Sequence, residues 1–221
     1  LAIQMRQIRL GLMEKLPVDL YANPEYDWFQ MEEIRKGLRE GVDVKIYSSL
    51  SIPYEKMRQI RKGLKAGIDL SGYSHMKADV LKQIRLAHTE GIDLSKYIKE
   101  GYDAKQLFEI RQALKDKLDM DPYLIKEYIG PSLAEMRKGL LAGVDVSLYA
   151  TMEYSWREMR ELREGMEKQL DVSKYSNPLY SWRQMHEIRL GMEQGLNVDK
   201  YRGLRYTSRE MQKKRLSMLE D

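Results

Sequence analysis

The sequence has few of the residue types on which enzymes and secreted proteins depend. There is no cysteine among its 221 residues, which excludes a disulfide framework and thiolate chemistry and favours a reducing compartment. Only three histidines occur, His75, His88 and His186, and their spacing matches neither a metal site nor a nucleophile arrangement. We therefore expect no catalytic residue, no cofactor, no metal and no small-molecule substrate.

Long apolar runs and a strong charge imbalance are also missing. No stretch approaches the roughly 20 apolar residues that span a bilayer, and the first segment already carries Arg6 and Arg9, unlike a signal peptide. The net charge is +4, from 38 basic and 34 acidic residues, a mixed surface that permits nucleic-acid binding without requiring it. We expect a cytoplasmic protein with no membrane partner.

What the sequence does contain is a repeat. Nine arginines recur every 26 residues, with one interval of 24. They are Arg9, Arg35, Arg61, Arg85, Arg111, Arg137, Arg163, Arg189 and Arg215. Such a period predicts a tandem array of one short unit, which becomes stable only by stacking on its neighbours.

Each unit announces the start and end of one helix. In the second unit, Asp27 and Gln30 form a capping box, while Tyr26 and Met31 form the hydrophobic staple around it. Gly41 has the position of a left-handed residue just after the helix. The capping box recurs at Asp103, Ser155, Ser181 and Thr207. These signals predict a helix of about 13 residues per unit.

A shorter element follows the helix. Asp43 lies between two apolar residues and can cap a short helical turn that carries Tyr47, and a turn then leads to the next unit. The fold class is therefore all-α, a solenoid of 26-residue repeats, each with one full helix, a short helical turn and a loop. We expect a single solenoid over residues 1–221 of about eight and a half repeats.

The two ends of the sequence differ. Residues 202–221 are expected to form a C-terminal cap, because Lys214 replaces a core isoleucine and the helix is polar. The beginning enters directly at a helix, so we also expect the chain to be part of a longer protein.

The repeated aromatics and arginines each allow two interpretations. All tyrosines and tryptophans fall into three columns, which favours packing between repeats over a ladder for stacking bases. The arginine column lies at the margin of the buried stripe. We expect it to bind the Asp43 column, helix-end carbonyls or a tyrosine ring. The alternative is a row of guanidinium groups that reads phosphates or carboxylates. The small Gly37 column predicts close approach of a neighbouring element.

Two columns vary freely from unit to unit: the residue after each arginine and the residue four after it. We call these two columns the open face. Other solenoids place partner specificity on such a face. The candidate partner-binding residues, which also include basic residues of the C-terminal segment, are Lys36, Arg39, Lys62, Lys65, Lys138, Arg202, Arg205, Arg209, Lys213 and Lys214.

The unit from Trp182 through Gln184, Met185, Glu187, Ile188, Arg189, Gly191, Met192, Gly195 and Val198 to Tyr201 carries a resemblance. It resembles tandem repeats of uncharacterised bacterial proteins, chiefly of gut Firmicutes and mobile elements. The resemblance implies a bacterial cytoplasmic protein and carries over no activity and no catalytic residue.

These observations lead to two hypotheses of function. The first is a non-catalytic helical-repeat scaffold that binds a protein partner through the open face. The alternative is a nucleic-acid-binding repeat protein that uses the arginine row and the basic C-terminal helix, although Glu164, Glu167 and Glu193 interrupt a continuous basic face.

Overall fold

The computed structural model describes residues 2–220, and all regular structure in that range is helical. The α-helices are α1 (Ala2–Met13), α2 (Trp28–Glu40), α3 (Tyr54–Lys65), α4 (Ala78–Glu90), α5 (Ser95–Glu100), α6 (Ala104–Lys115), α7 (Gly130–Ala142), α8 (Trp156–Glu167), α9 (Trp182–Glu193) and α10 (Ser208–Glu220). Short 3₁₀ helices lie at Val18–Leu20, Val44–Ile46, Ser71–Tyr73, Asp121–Tyr123, Val146–Leu148, Val172–Lys174 and Val198–Lys200.

Contacts divide the chain into two compact parts, Leu1–Leu107 and Phe108–Asp221, which we call unit 1 and unit 2. A unit without a number continues to mean one 26-residue repeat. In unit 1, α1 packs on α2, α2 on α3 and α3 on α4; in unit 2, α7 packs on α8, α8 on α9 and α9 on α10. Within each unit these helices pack on their neighbours in sequence, which confirms an all-α solenoid of 26-residue repeats. A single solenoid over 1–221 with a cap at 202–221 stays a prediction.

The helix starts are those that the sequence predicts. Asp27 accepts a hydrogen bond from the Gln30 backbone N–H (2.8 Å), and the Gln30 side chain accepts one from the Asp27 N–H (3.0 Å). The same reciprocal pair forms at the other four predicted capping boxes. The Gln30 amide also donates to the Ile52 carbonyl at 2.9 Å. One side chain therefore both caps its own helix and bonds the next repeat.

The helix ends confirm the left-handed position. Gly41 has φ = 72° after α2. In three units the same column holds Lys15, Lys117 and Gln169, whose φ values are 55°, 56° and 58°. A side chain in this region costs roughly 1 to 2 kcal/mol. The repeat therefore imposes this turn even where glycine is missing.

The short turn of each unit delivers a tyrosine into a notch of its own helix. Asp43 caps the turn by accepting from the Lys45 N–H at 3.0 Å. Tyr47 is fully buried, and its hydroxyl donates to the Glu33 carbonyl at 3.3 Å. A Cβ at Gly37 would lie 1.8 Å from that hydroxyl oxygen. The small column predicted from the sequence is therefore the notch that admits the tyrosine.

The same docking repeats in the other units that combine glycine, valine and tyrosine at these positions. They are Gly11 with Val18 and Tyr21, Gly139 with Val146 and Tyr149, Gly165 with Val172 and Tyr175, and Gly191 with Val198 and Tyr201. Burial raises the pKa of Tyr201 to about 12, and it raises the pKa of Tyr47, Tyr149 and Tyr175 as well. The hydroxyls therefore remain donors at neutral pH.

Larger residues in the valine column change this arrangement. Leu70 is fully buried and approaches Gly63, where an added Cβ would lie 2.9 Å from its Cδ1. Tyr73 of that unit is only half-buried. Leu94 and Met120 are likewise buried in units whose small residue is alanine. At Gly63, the Leu70 side chain takes the space that the tyrosine hydroxyl fills in the repeats with a docked tyrosine.

The tyrosine notch gives a test of the fold. Gly165→Ala should destabilise the protein by about 1 to 3 kcal/mol, because the new Cβ meets the Tyr175 hydroxyl oxygen at 1.8 Å. In an unobstructed helix the same change would stabilise by roughly 0.5 to 1 kcal/mol. Urea denaturation of Gly165→Ala, Tyr175→Phe and the double variant should show that the double variant loses less than the sum of the two. Additive losses would contradict the notch.

Candidate partner-binding face

The arginine row is mostly internal. Six of its members, Arg35, Arg61, Arg111, Arg163, Arg189 and Arg215, are buried, with at most 8% of their surface exposed. In unit 1, Arg61 Nε donates to Glu33 Oε2 of the preceding helix at 2.9 Å. The Glu33 carboxylate is fully buried and also accepts from Arg58 Nε at 2.9 Å. These arginines therefore link successive helices through buried carboxylates.

The carboxylates of these links come from one column, two residues before the arginine of the preceding unit. The links in unit 2 are Arg137 with Glu109, Arg163 with Glu135, Arg189 with Glu161 and Arg215 with Glu187, at 2.7–2.8 Å. We call this set of contacts the arginine–glutamate ladder. In unit 1, Arg35 Nε and Arg85 Nε instead donate to amide oxygens in the same column, those of Gln7 and Gln59.

The predicted partners of the arginines were wrong. The Asp43 column caps the short turns instead, and its carboxylates are exposed. Sequence reasoning missed the Glu33 column because it mixes glutamate with glutamine. Yet glutamate or glutamine stands there in eight of nine units, with Lys213 in the ninth. That restricted choice at a fixed offset from the arginine was the available signal.

A second acid joins most of these links from one of two places. Arg35 Nη1 donates to Glu14, which follows α1, at 2.7 Å. At Arg163 the corresponding residue is Ala142, and the acid is Glu167 of its own helix, at 2.6 Å. The carboxylate that binds the Nη1 atom of the arginine therefore comes either from just after the preceding long helix or from the arginine's own helix.

The open face is only partly as predicted. The column four residues after each arginine is exposed in all nine units, whereas the column directly after the arginine is half-buried in six of nine. In unit 1 the neighbouring helices α2 and α3 carry Lys36, Arg39, Lys62 and Lys65 on these columns. Three of these cations have a glutamate within 4 Å. Among residues 2–220, Lys62 makes no ion pair.

The open face of unit 2 has a different charge. Lys138 is exposed and donates to Glu135, a carboxylate of the ladder, at 2.7 Å. Glu164, Glu167 and Glu193 interrupt the basic character as predicted, but they are not idle surface charges. Each lies within 3.4 Å of a buried arginine of the ladder.

The basic C-terminal segment is exposed except at its start. Arg202 is half-buried and pairs with an aspartate of the preceding turn. Arg205 donates to the Tyr206 hydroxyl at 2.9 Å, and the Lys214 ammonium lies 4.8 Å from the same ring. Arg209 and Lys213 are exposed and form no ion pair within the described range 2–220. This segment presents cations on α10 and on the loop before it.

The tryptophans are not the buried core that the sequence suggested. Eleven of the fifteen tyrosines are buried and the other four are half-buried, but Trp28, Trp156 and Trp182 are all half-exposed. In unit 2 the Arg157 guanidinium lies 4.5 Å from the Trp156 ring and 5.9 Å from the Trp182 ring. Arg183 lies 4.6 Å from Trp182. We call Trp156, Trp182, Arg157 and Arg183 the tryptophan–arginine strip.

The arginine–glutamate ladder predicts that two substitutions of Glu33 lower the free energy of unfolding by clearly different amounts. Glu33→Ala should destabilise by about 3 kcal/mol, because Arg61 loses its buried carboxylate. Glu33→Gln should cost less, about 1.5 kcal/mol, since its one amide oxygen keeps the Arg61 bond while the Arg58 bond is lost. Urea denaturation measures both, and the adjacent half-buried Glu32→Ala is the matched control, expected within about 0.5 kcal/mol of wild type. An equal loss for Glu33→Ala and Glu32→Ala would contradict the ladder.

Comparisons add no identity to this picture. None of the described helices combines the length and apolar character needed to cross a membrane. Among residues 2–220, no three His, Cys, Asp or Glu side chains come together as a metal site would require. No family model, no curated protein and no solved structure matches the chain.

Proposed function

We propose that this chain is a non-catalytic helical-repeat scaffold that binds a protein partner through the open face. The observation that carries the proposal is a division of labour between columns. The residues that recur along the chain are engaged in packing: the capping pairs, the tyrosine in its notch and the arginine–glutamate ladder. The column four after the arginine varies and is exposed in every unit. Surface that folding leaves free is where a solenoid can specify a partner.

The composition of that column also favours a protein partner. It includes Met13, Leu141 and Leu219, which are 73%, 61% and 48% exposed, beside the charged Arg39 and Lys65. A surface that mixes apolar and charged side chains is suited to a protein interface, whose core is partly apolar and whose rim is polar. Phosphate backbones are instead met by continuous positive charge.

A second candidate function, nucleic-acid binding, rests on other residues than the arginine row. The ladder occupies most of that row with carboxylates. What favours this candidate is the exposed pair Arg209 and Lys213, together with the tryptophan–arginine strip. Half-exposed aromatic rings beside cations are the features on which single-stranded bases stack.

The proposal is tested by photo-crosslinking in a lysate of the native cell. A crosslinking amino acid is placed at Arg39, Lys65 or Thr89 on the open face. Matched controls carry it at Lys45 and Lys77, which are also exposed but lie outside both columns. We expect a discrete protein to be captured from the open-face positions and not from the control positions. Identical captures from both sets would contradict the proposal.

The nucleic-acid candidate is tested in parallel by fluorescence anisotropy of labelled oligonucleotides. The protein is titrated across salt beside a variant in which Arg205, Arg209, Lys213 and Lys214 are changed to glutamine. The protein-scaffold proposal predicts weak binding that the variant does not alter. Tight, salt-sensitive binding that this variant abolishes would establish the second candidate instead.

A further inference from the structure

Arg85 differs from the paired arginines of the row because no position that elsewhere supplies an acid carries one here, and the position of Glu164 holds Lys62. The residue before Arg85 in the Glu33 column is Gln59, whose Oε1 accepts from Arg85 Nε at 3.2 Å. Ala66 stands where Glu14 and Glu40 stand in the two preceding units. Thr89 stands where unit 2 has Glu167, and its hydroxyl donates to the Arg85 carbonyl at 2.9 Å.

The remaining donors of Arg85 are therefore not engaged within the chain. Among residues 2–220, its Nη1 and Nη2 make no hydrogen bond and no ion pair. The side chain is half-buried between α3 and α4, and that burial lowers the pKa of Arg85. A desolvated guanidinium with free Nη donors can bind a planar carboxylate through two parallel hydrogen bonds.

A second unpaired cation is near it, because Lys62 has the position from which Glu164 contacts Arg189 at 2.9 Å in unit 2. Lys62 is on α3, is exposed, and makes no ion pair with any residue from 2 to 220. The pKa of Lys62 is lowered by burial and by the positive charges of Arg85, Arg61 and Arg58. Arg58 and Arg61 both pair with Glu33, and Arg61 also pairs with Glu40, whereas Lys62 and Arg85 have no carboxylate partner within residues 2–220.

We propose that Arg85 and Lys62 form a binding site for a carboxylate side chain of an acidic segment in the protein partner. The proposal rests on the protein-partner function given above and names the chemistry that the open face of unit 1 would recognise. In most of the paired arginines of this row a carboxylate takes the outer Nη1 donor, as Glu14 does at Arg35 and Glu167 at Arg163. The partner supplies at Arg85 what Glu40 supplies at Arg61.

The test uses a change that completes the ladder without removing any cation. Gln59→Glu installs the carboxylate that Glu33 provides in the preceding unit, so Arg85 becomes paired inside the protein. The matched control is Gln7→Glu, because Arg35 already pairs with Glu14. A labelled hexaglutamate peptide is the probe in fluorescence anisotropy, with hexathymidylate as a phosphate probe of similar length.

We expect hexaglutamate to bind wild type and Gln7→Glu with equal affinity. Its affinity for Gln59→Glu should be lower by about tenfold or more. Gln59→Glu should also raise the melting temperature, which shows that it folds and that the new pair forms. Equal hexaglutamate affinity for wild type and Gln59→Glu would overturn the site. Sensitivity of hexathymidylate alone to Gln59→Glu would likewise overturn it, in favour of a phosphate site.

The two proposals can fail separately. If open-face crosslinks persist while Gln59→Glu leaves hexaglutamate binding unchanged, the Arg85 site is wrong and the scaffold function stands. If Gln59→Glu weakens hexaglutamate binding but no protein is captured from the open face, the anion site is real and the proposed function is wrong.

Discussion

The structure depends on buried arginine–glutamate ion pairs that join most of the long helices to the next one. A 26-residue unit has one long helix and one short turn, and it becomes stable only by stacking on its neighbours. Arg61 and Glu33 illustrate the solution, with both groups buried and Nε to Oε2 at 2.9 Å. A charge buried in this way must be paired, so either helix without the other would leave an uncompensated group. The contact therefore fixes the register between repeats.

The same constraint shapes the rest of the unit. Glu33 supplies its carboxylate to the next helix and its backbone carbonyl to the Tyr47 hydroxyl of its own short turn. That hydroxyl requires the notch at Gly37. Ladder, tyrosine and glycine thus meet at one turn of the helix. The open face begins beyond it, where the column four after the arginine is free to vary.

Much of this fold follows from the sequence because its signals are local. The capping boxes, Gly41 and the Asp43 cap depend on a few adjacent residues whose backbone chemistry is known. The partners of the arginines were missed because they lie 28 residues away and because glutamine and glutamate share the column. The half-exposure of Trp156 was missed for a related reason, since its column recurs as a packing column would. Recurrence identifies what the repeat keeps, but burial depends on the neighbouring helix.

Only part of the candidate site could be predicted from the sequence. Arg39 and Lys65 were recognised as variable and lie exposed, but nothing local distinguishes Arg85 from its equivalents. Its character comes from the absence of acids at Gln59 on α3, at Ala66 just after α3 and at Thr89 on α4. Only their three-dimensional relation to the guanidinium turns these neutral residues into a binding hypothesis.

The central claim is that the arginine–glutamate contacts couple successive helices energetically. The direct measurement is a double-mutant cycle at Glu187 and Arg215, which form one link of the ladder at 2.8 Å between α9 and α10. Urea denaturation of Glu187→Ala, Arg215→Ala and the double variant gives the coupling free energy. Our account predicts about 2 kcal/mol or more. A coupling within about 0.5 kcal/mol of zero would show that the helices stack without it.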